Sequence, residues 1–477
     1  MRRALIPLAA AAAVLTGCMN LAPGYQQPAA PIPTAWPGAS AAEVASAPLP
    51  DWQAFFQDER LRGLLALALQ NNRDLRVAAL NIERARALYG VADAASWPSL
   101  DAGGSASRAR TPGGMTTNGQ ARIANSFTTN IAMTAYELDL FGRVRNLSDS
   151  ALEEFLRTED ARRSTQISLV GAVAQAWLQL ATDGQRLRLA RDTLQSQQQS
   201  YDLIRQAHAL GAQSGVALAQ AQTTVEAARV QVATYDALVE QGRNALALLL
   251  ATAPPDALLP GDAPVTAAQL PTPPAGLPSS VLQQRPDVLA AEHALRAAHH
   301  DIGAARAVLY PRIALTGSAG VASPSLSSLF EAGSRAWSFG PSISVPLFDA
   351  GARRDRVRAA EVQRDIQLAG YEKTLQTAFR EVADALAERR TLAERLDAQR
   401  ALVAASTRSF ELAQALFKGG GGSYLEVLDA QRALYAAQQT LIGLQLTDQA
   451  NRVTLYKVLG GGWSPEAAPP QPSAPAG

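Results

Sequence analysis

Two periodicities organise the chain. Largely apolar positions recur every seven residues through Val173, Leu180, Leu187, Leu194, Tyr201 and His208, then through Leu218, Val225, Val232, Val239 and Leu246. The same spacing returns in Val382, Arg389, Leu396, Val403, Phe410 and Phe417, and in Val427, Leu434, Leu441, Asp448 and Leu455. A seven-residue repeat sustained this far predicts long antiparallel coiled-coil helices, because an ordinary amphipathic helix drifts with period 3.6. Elsewhere the period is two. In IALTGSAGV (313–321) Ile313, Leu315, Gly317, Ala319 and Val321 share one face, and in WSFGPSISVPL (337–347) Trp337, Phe339, Pro341, Ile343, Val345 and Leu347 do the same. The alternate positions are small and uncharged, the pattern of strands with one face in lipid. SLDAGGSAS (99–107) and NIAMTAY (130–136) repeat it more weakly.

The chain is written twice. Asp74 falls on Asp287 and Pro98 on Pro311, both 213 apart, and from Gly142 and Gly351 onward the offset is 209. The expected organisation is a signal peptide (1–17), an extended N-terminal segment (18–57), a first repeat (58–253), a linker (254–278), a second repeat (279–462) and a disordered tail (463–477). The first repeat holds a β-hairpin at about 98–141, a long helix at about 143–210, a tip and a helix at about 216–251. The second holds a hairpin at about 311–348, a long helix at about 352–417, a tip at 418–423 and a helix at about 424–459. Gly211 and Gly215 in the first copy, and the run Gly419, Gly420, Gly421 and Gly422 in the second, mark the tip turns.

Four strands cannot close a barrel, and open edges are forbidden in lipid, so closure demands several chains. Two chains would give eight strands with a filled interior; three would give twelve and a lumen. A soluble hairpin domain is the alternative.

Composition narrows the function. Charged residues are 18% and the formal net charge is +1, so no basic field serves nucleic acid. Arg2 and Arg3 precede an apolar run from Ala4 to Leu15, too short to span a bilayer. Leu15-Thr16-Gly17-Cys18 then resembles a bacterial lipobox, with the single cysteine of the chain as the acylated residue; an ordinary signal peptide is the bland alternative. Met19 follows, and the absence of Asp there favours the outer membrane. His299 and His300 are adjacent on a helix and diverge, and Glu381, Asp384 and Glu388 read as a solvated helix face. No metal site, cofactor or catalytic constellation is expected.

The lipobox, the duplication, YELDLFGRVRN (136–146) at a strand exit and SYLEVLDAQRALYAAQQ (423–439) after the second tip together resemble the TolC-like outer-membrane factor family, lipoprotein branch. The resemblance implies a mainly α, internally duplicated fold with a membrane β-barrel portion. Four strands per chain enter a trimeric twelve-stranded barrel, and the coiled-coil helices form a periplasmic α-barrel. It implies a passive exit duct of a tripartite efflux system, partnered by a periplasmic adaptor (membrane fusion) protein, an inner-membrane RND-type pump and outer-membrane lipid, with palmitate-type acylation at Cys18. A protein-secretion exit or a soluble periplasmic scaffold are the rival readings.

By the same resemblance Phe417 replaces a tyrosine that commonly ends the long helix, Leu425 an apolar constriction residue, and Asp429 with Arg432 a charged pair near the mouth. The first copy carries Gln220 and Thr223 there, so the charges occur once per chain. A solvated ion pair is the bland reading.

Overall fold

The computed structural model describes residues 19–36, 50–117, 119–261 and 279–462. The expected signal peptide, Cys18, most of the linker and the tail lie outside them. In chain order the elements are α1 (Trp52–Phe55), α2 (Glu59–Asn71), α3 (Arg73–Ala94), β1 (Leu100–Thr111), β2 (Arg122–Leu138), α4 (Arg143–Ala209), α5 (Gly215–Leu250), α6 (Pro286–Ala307), β3 (Arg312–Ser323), β4 (Arg335–Ser344), α7 (Ala352–Lys418) and α8 (Tyr424–Val458), besides short 3-10 turns. No helix among the described residues is long and apolar enough to cross a membrane.

The chain divides into two compact units, and each draws on both sequence repeats. One comprises Met1–Ala29, Asn81–Glu159 and Ala290–Tyr371 and contains the sheet. Its strands run β1-β2-β3-β4, every neighbour antiparallel. The rungs Met133↔Gly317↔Phe339 and Ile131↔Ala319↔Trp337 carry the apolar face across three strands, and Leu100 and Ala102 continue it on β1. Trp337 is 80% exposed, Phe339 63% and Ile343 67%. The opposite face is small and polar: Ser105 and Thr128 hydroxyls meet at 2.8 Å, as do those of Ser318 and Ser338.

β2 is the strand where strict alternation fails. The larger apolar residues of its second half are Ile131, Met133, Tyr136 and Leu138, which an unbroken strand would split between faces. The register slips between Met133 and Tyr136, with Ala135 at φ 54°. This one-residue bulge returns Tyr136 and Leu138 to the apolar side, opposite Leu315 and Ile313. The first-copy strands are longer than their weak alternation implied, and β4 ends at Ser344, before the expected Val345–Leu347 extension. Pro346 has no amide hydrogen to continue a ladder.

The other unit comprises Ala30–Leu80, Asp160–Leu289 and Glu372–Gly477. Phe55 stacks on Tyr456 at 4.1 Å, and Phe56 joins them edge-on. Leu61, Leu64 and Leu65 of α2 close over Val173 and Leu178 of α4, Leu246 and Leu250 of α5, and Val453 of α8. Of the heptad positions, Val173, Leu180, Leu187, Val225, Leu246, Val382, Leu396, Val427 and Leu455 are buried. Only His208, at the end of its series, stands exposed. Arg285, itself buried, forks onto Asp287 at 3.0 and 2.7 Å, reaches Glu381 at 3.1 Å and donates to the Val458 carbonyl at 2.7 Å.

Gly320 marks the tightest approach in the sheet. A Cβ there would be driven into the Thr129 carbonyl oxygen and would lie 2.6 Å from the Asn130 Cα, both backbone atoms that cannot yield. Gly320→Val is expected to cost about 3 kcal/mol or more through forced strand separation. Loss of the folded, heat-modifiable gel species would show it; a wild-type yield of that species would refute it.

Candidate functional site

Two regions concentrate the residues that sequence reasoning singled out. The first is the exit from β2 into α4, where YELDLFGRVRN becomes a clamp. Glu137 accepts two hydrogen bonds from Arg143, both 2.8 Å, and pairs with Arg312 Nε at 2.7 Å. One carboxylate thus ties the end of β2 to the start of α4 and to the first residue of β3. Asp139 accepts the Arg145 amide at 2.8 Å, capping orphan N–H groups of the first helical turn. Gly142 has φ +74°, where only glycine is unstrained, and buried Asn146 donates to its carbonyl at 2.6 Å. Phe141 stacks on Tyr310 at 4.7 Å. The second copy solves the same turn differently: Asp349 accepts the amides of Gly351 and Arg353, both 3.1 Å.

The N-terminal segment docks on this junction. The Met19 amide donates to the Leu140 carbonyl at 3.0 Å, and Asn20 accepts from Asn146 at 2.8 Å. Tyr25 donates to Glu292 at 2.9 Å and meets His299 edge-on at 5.4 Å. Burial, then the positive Arg364, holds the His299 imidazole below its ordinary value, against an opposing hydrogen bond with the Pro23 backbone; neighbouring His300 adds a smaller downward push.

The second region is the pair of tip turns. Gly420 (φ +77°) donates to Phe417 O at 3.1 Å and Gly421 to Leu416 O at 3.0 Å, the paired bonds of a left-handed helix stop. The first copy repeats them: Gly211 (φ +75°) to His208 O and Ala212 to Ala207 O, both 2.9 Å. Of the six tip glycines, Gly211 and Gly420 alone have left-handed backbones. Gly215 is already the first residue of α5, and Gly419, Gly421 and Gly422 adopt conformations open to any residue. Ser423 and Glu426 form a reciprocal capping box at the start of α8.

Behind the turns Ile204, Ala221, Tyr424, Val427 and Leu428 pack with Tyr201, Leu218, Phe410 and Phe417, so all four long helices contribute. Phe417 is half-buried, 5.6 Å from the Tyr424 ring. Leu425 points out and is half exposed. Asp429 and Arg432 pair at 3.6 Å with both side chains largely exposed, geometry that by itself stabilises little. Arg432 also borders a cleft of about 330 Å³ with Gln197, Thr223, Thr224, Gln431 and Tyr435. The neutral first-copy counterpart, Thr223, therefore lines the same cleft as the charged residue.

A family model described as outer membrane efflux protein matches residues 64–252 and again 277–461. The toluene efflux pump outer membrane protein TtgC of Pseudomonas putida is 45% identical over 97% of this chain and 96% of its own length. A membrane protein of Pseudomonas aeruginosa, known from its crystal structure, superposes with TM-score 0.87 at 41% identity, covering 93% of this chain and 98% of that one. The open-state outer membrane channel MtrE of Neisseria gonorrhoeae gives TM-score 0.84 at 34% identity, covering 93% and 98%.

Two predictions follow from this geometry. Gly420→Ala should cost about 1 kcal/mol although nothing lies within 4 Å of the added methyl, because its φ is left-handed. Gly421→Ala should be neutral or gain about 0.5 kcal/mol. Denaturant titration of the two variants checks the contrast, and equal effects would refute it. The second concerns pH. Because the folded His299 pKa lies below the unfolded one, the unfolded segment binds protons first as pH falls beneath 6.5, and docking weakens there. The hydrogen-exchange protection of residues 19–29, taken relative to the intrinsic rate at each pH, should fall below that pH in the wild type but not in His299→Phe.

Proposed function

The chain belongs to the outer membrane efflux protein family, and from that membership we infer that it is the outer-membrane exit duct of a tripartite efflux system, passively conducting small toxic compounds outward. The observation that carries the reading is the two-faced sheet. Its apolar side suits lipid, and its other side offers serine, threonine, asparagine and glycine, groups that wet a passage without binding cargo tightly. Three copies supply twelve strands and a lumen. The relatives are named for efflux rather than secretion, and the toluene in one of those names points to organic solvents as cargo.

Cys18, acylated, anchors the chain in the outer membrane. The Met19–Leu140 bond supports this, because it holds the residue that follows Cys18 beside the strand exit. The helical tips form the periplasmic mouth. There Phe417 and Leu425 narrow the passage, while Asp429 and Arg432 hold it closed across neighbouring chains until a periplasmic adaptor and an inner-membrane RND-type pump engage. Exposed Leu210, Val216 and Leu416 give the adaptor an apolar landing at the same tips.

Reconstitution into planar bilayers tests both levels. The wild type should form small, mostly closed channels, and Asp429→Ala with Arg432→Ala should raise the conductance several-fold. Unchanged conductance would reduce the pair to a surface ion pair; no channel of any size would overturn the duct.

A further inference from the structure

The apolar face of the sheet does not stay apolar to its end. On β1 it runs Leu100, Ala102, Gly104, Ala106 and then turns cationic at Arg108 and Arg110. On β4 the same face reads Ile343, Pro341, Phe339, Trp337 and then Arg335. Register places all three arginines on this face, since Arg108 pairs with Asn125, Arg110 with Ile123 and Arg335 with Val321. Val321, Ile131, Trp337 and Phe339 belong to the same side through the rungs already described.

Each arginine sits near a hairpin turn. Arg335 occupies the last rung of its hairpin and Arg110 the last but one of the other. The opposite strand ends, by contrast, join helices. All three side chains are exposed, and their cross-strand partners are neutral. Glu331 is the only carboxylate in the two hairpin turns. Arg122, also at a hairpin end, pairs with Thr111 and faces the opposite, polar side.

A guanidinium on the lipid face costs energy at the bilayer midplane, and the penalty fades to nearly nothing at the headgroup level. Arg335 lies immediately beyond Trp337 on its face, and three guanidiniums at the hairpin ends mark a headgroup layer and not hydrocarbon. Arginine presents a planar fork that matches phosphate oxygens two at a time. We propose that Arg108, Arg110 and Arg335 form a phosphate-binding rim that holds the phosphorylated headgroups of outer-leaflet glycolipid (lipopolysaccharide) around the barrel. The inference rests on the duct reading, which puts the helices in the periplasm and the hairpins at the cell surface. β1 and β4 are the two edges of the sheet, so closure lays the strand that carries Arg335 beside the strand of the next chain that carries Arg108 and Arg110. Each subunit junction then offers a composite cationic notch.

The test is the lipopolysaccharide retained by full-length protein extracted from outer membranes in mild detergent and quantified by mass spectrometry. Arg108→Gln with Arg110→Gln and Arg335→Gln should lower retention by about tenfold, whereas Arg122→Gln, one charge removed from the other face, should leave it unchanged. Equal retention by the triple variant and wild type, or an equal loss in Arg122→Gln, would overturn the rim. Thermal unfolding separates the phosphate sources. A shift with lipopolysaccharide that inorganic phosphate and phosphatidylglycerol do not reproduce supports the proposal. An equal shift with free phosphate reduces the rim to a general anion site and overturns it. Membrane fractionation keeps the two readings apart: protein absent from the outer membrane defeats the duct, while an outer-membrane channel with arginine-independent lipid defeats only the rim.

Discussion

An unpaired strand edge in hydrocarbon is the constraint from which most of this molecule follows. Each backbone N–H or C=O left without a partner in lipid costs several kcal/mol. The outer edges of β1 and β4 have no strand partner among the described residues. The sheet therefore cannot be both membrane-embedded and monomeric. Association of identical chains, edge to edge, satisfies the backbone and makes the face distinction absolute, because closure puts one side wholly in lipid and the other wholly in a lumen. The bulge at Ala135 belongs to the same logic. A one-residue slip moves a strand's entire apolar set to the wrong face, and the bulge restores Tyr136 and Leu138 where the sequence departs from alternation.

A second demand arises where strand becomes helix. The first turn of α4 has N–H groups without intrahelical partners, and the chain must reverse its geometry within a few residues. Glu137 ties β2, α4 and β3 together, Asp139 caps, Gly142 takes the left-handed turn and Asn146 fastens it. At the α7 start Asp349 does the capping from a different position relative to the glycine. Duplication preserved the physical task at this corner and not the residues that perform it.

How far the sequence could be read depended on the range of each interaction. Heptads report one helix face, and the coiled-coil hairpins were legible from them because each buried position lies on the same helix as its predictors. Alternation reports one strand, so β3 was clear. β1 and β2 were blurred by Asp101, the glycine pair and the bulge. The Glu137–Arg312 contact joins the two repeats and carries no local signal, although an acid and an arginine flanking a glycine in YELDLFGRVRN hinted at part of it. The glycine run at 419–422 was legible as a turn, but which glycine the backbone requires depends on φ, and composition does not reveal φ. In the sequence Cys18 was legible from its lipobox alone.

The two tips differ in a way that bears on how such a duct opens. Both turns use the same pair of backbone bonds and one left-handed glycine. In the first copy Leu210, Ala212 and Gln213 surround that glycine, and the His208 ring is bonded to the Gln213 carbonyl at 2.8 Å. In the second copy glycines fill all the corresponding positions. Each glycine beyond the one required lowers no native strain and enlarges the set of conformations available once the turn loosens. Local opening is therefore cheaper at the α7–α8 tip than at the α4–α5 tip. The same hairpin carries Asp429 and Arg432, while its counterpart carries Gln220 and Thr223. Charge and pliability are concentrated on one hairpin of each duplicated pair, so a trimer built from these chains carries three charged, glycine-rich tips and three neutral, glycine-poor ones.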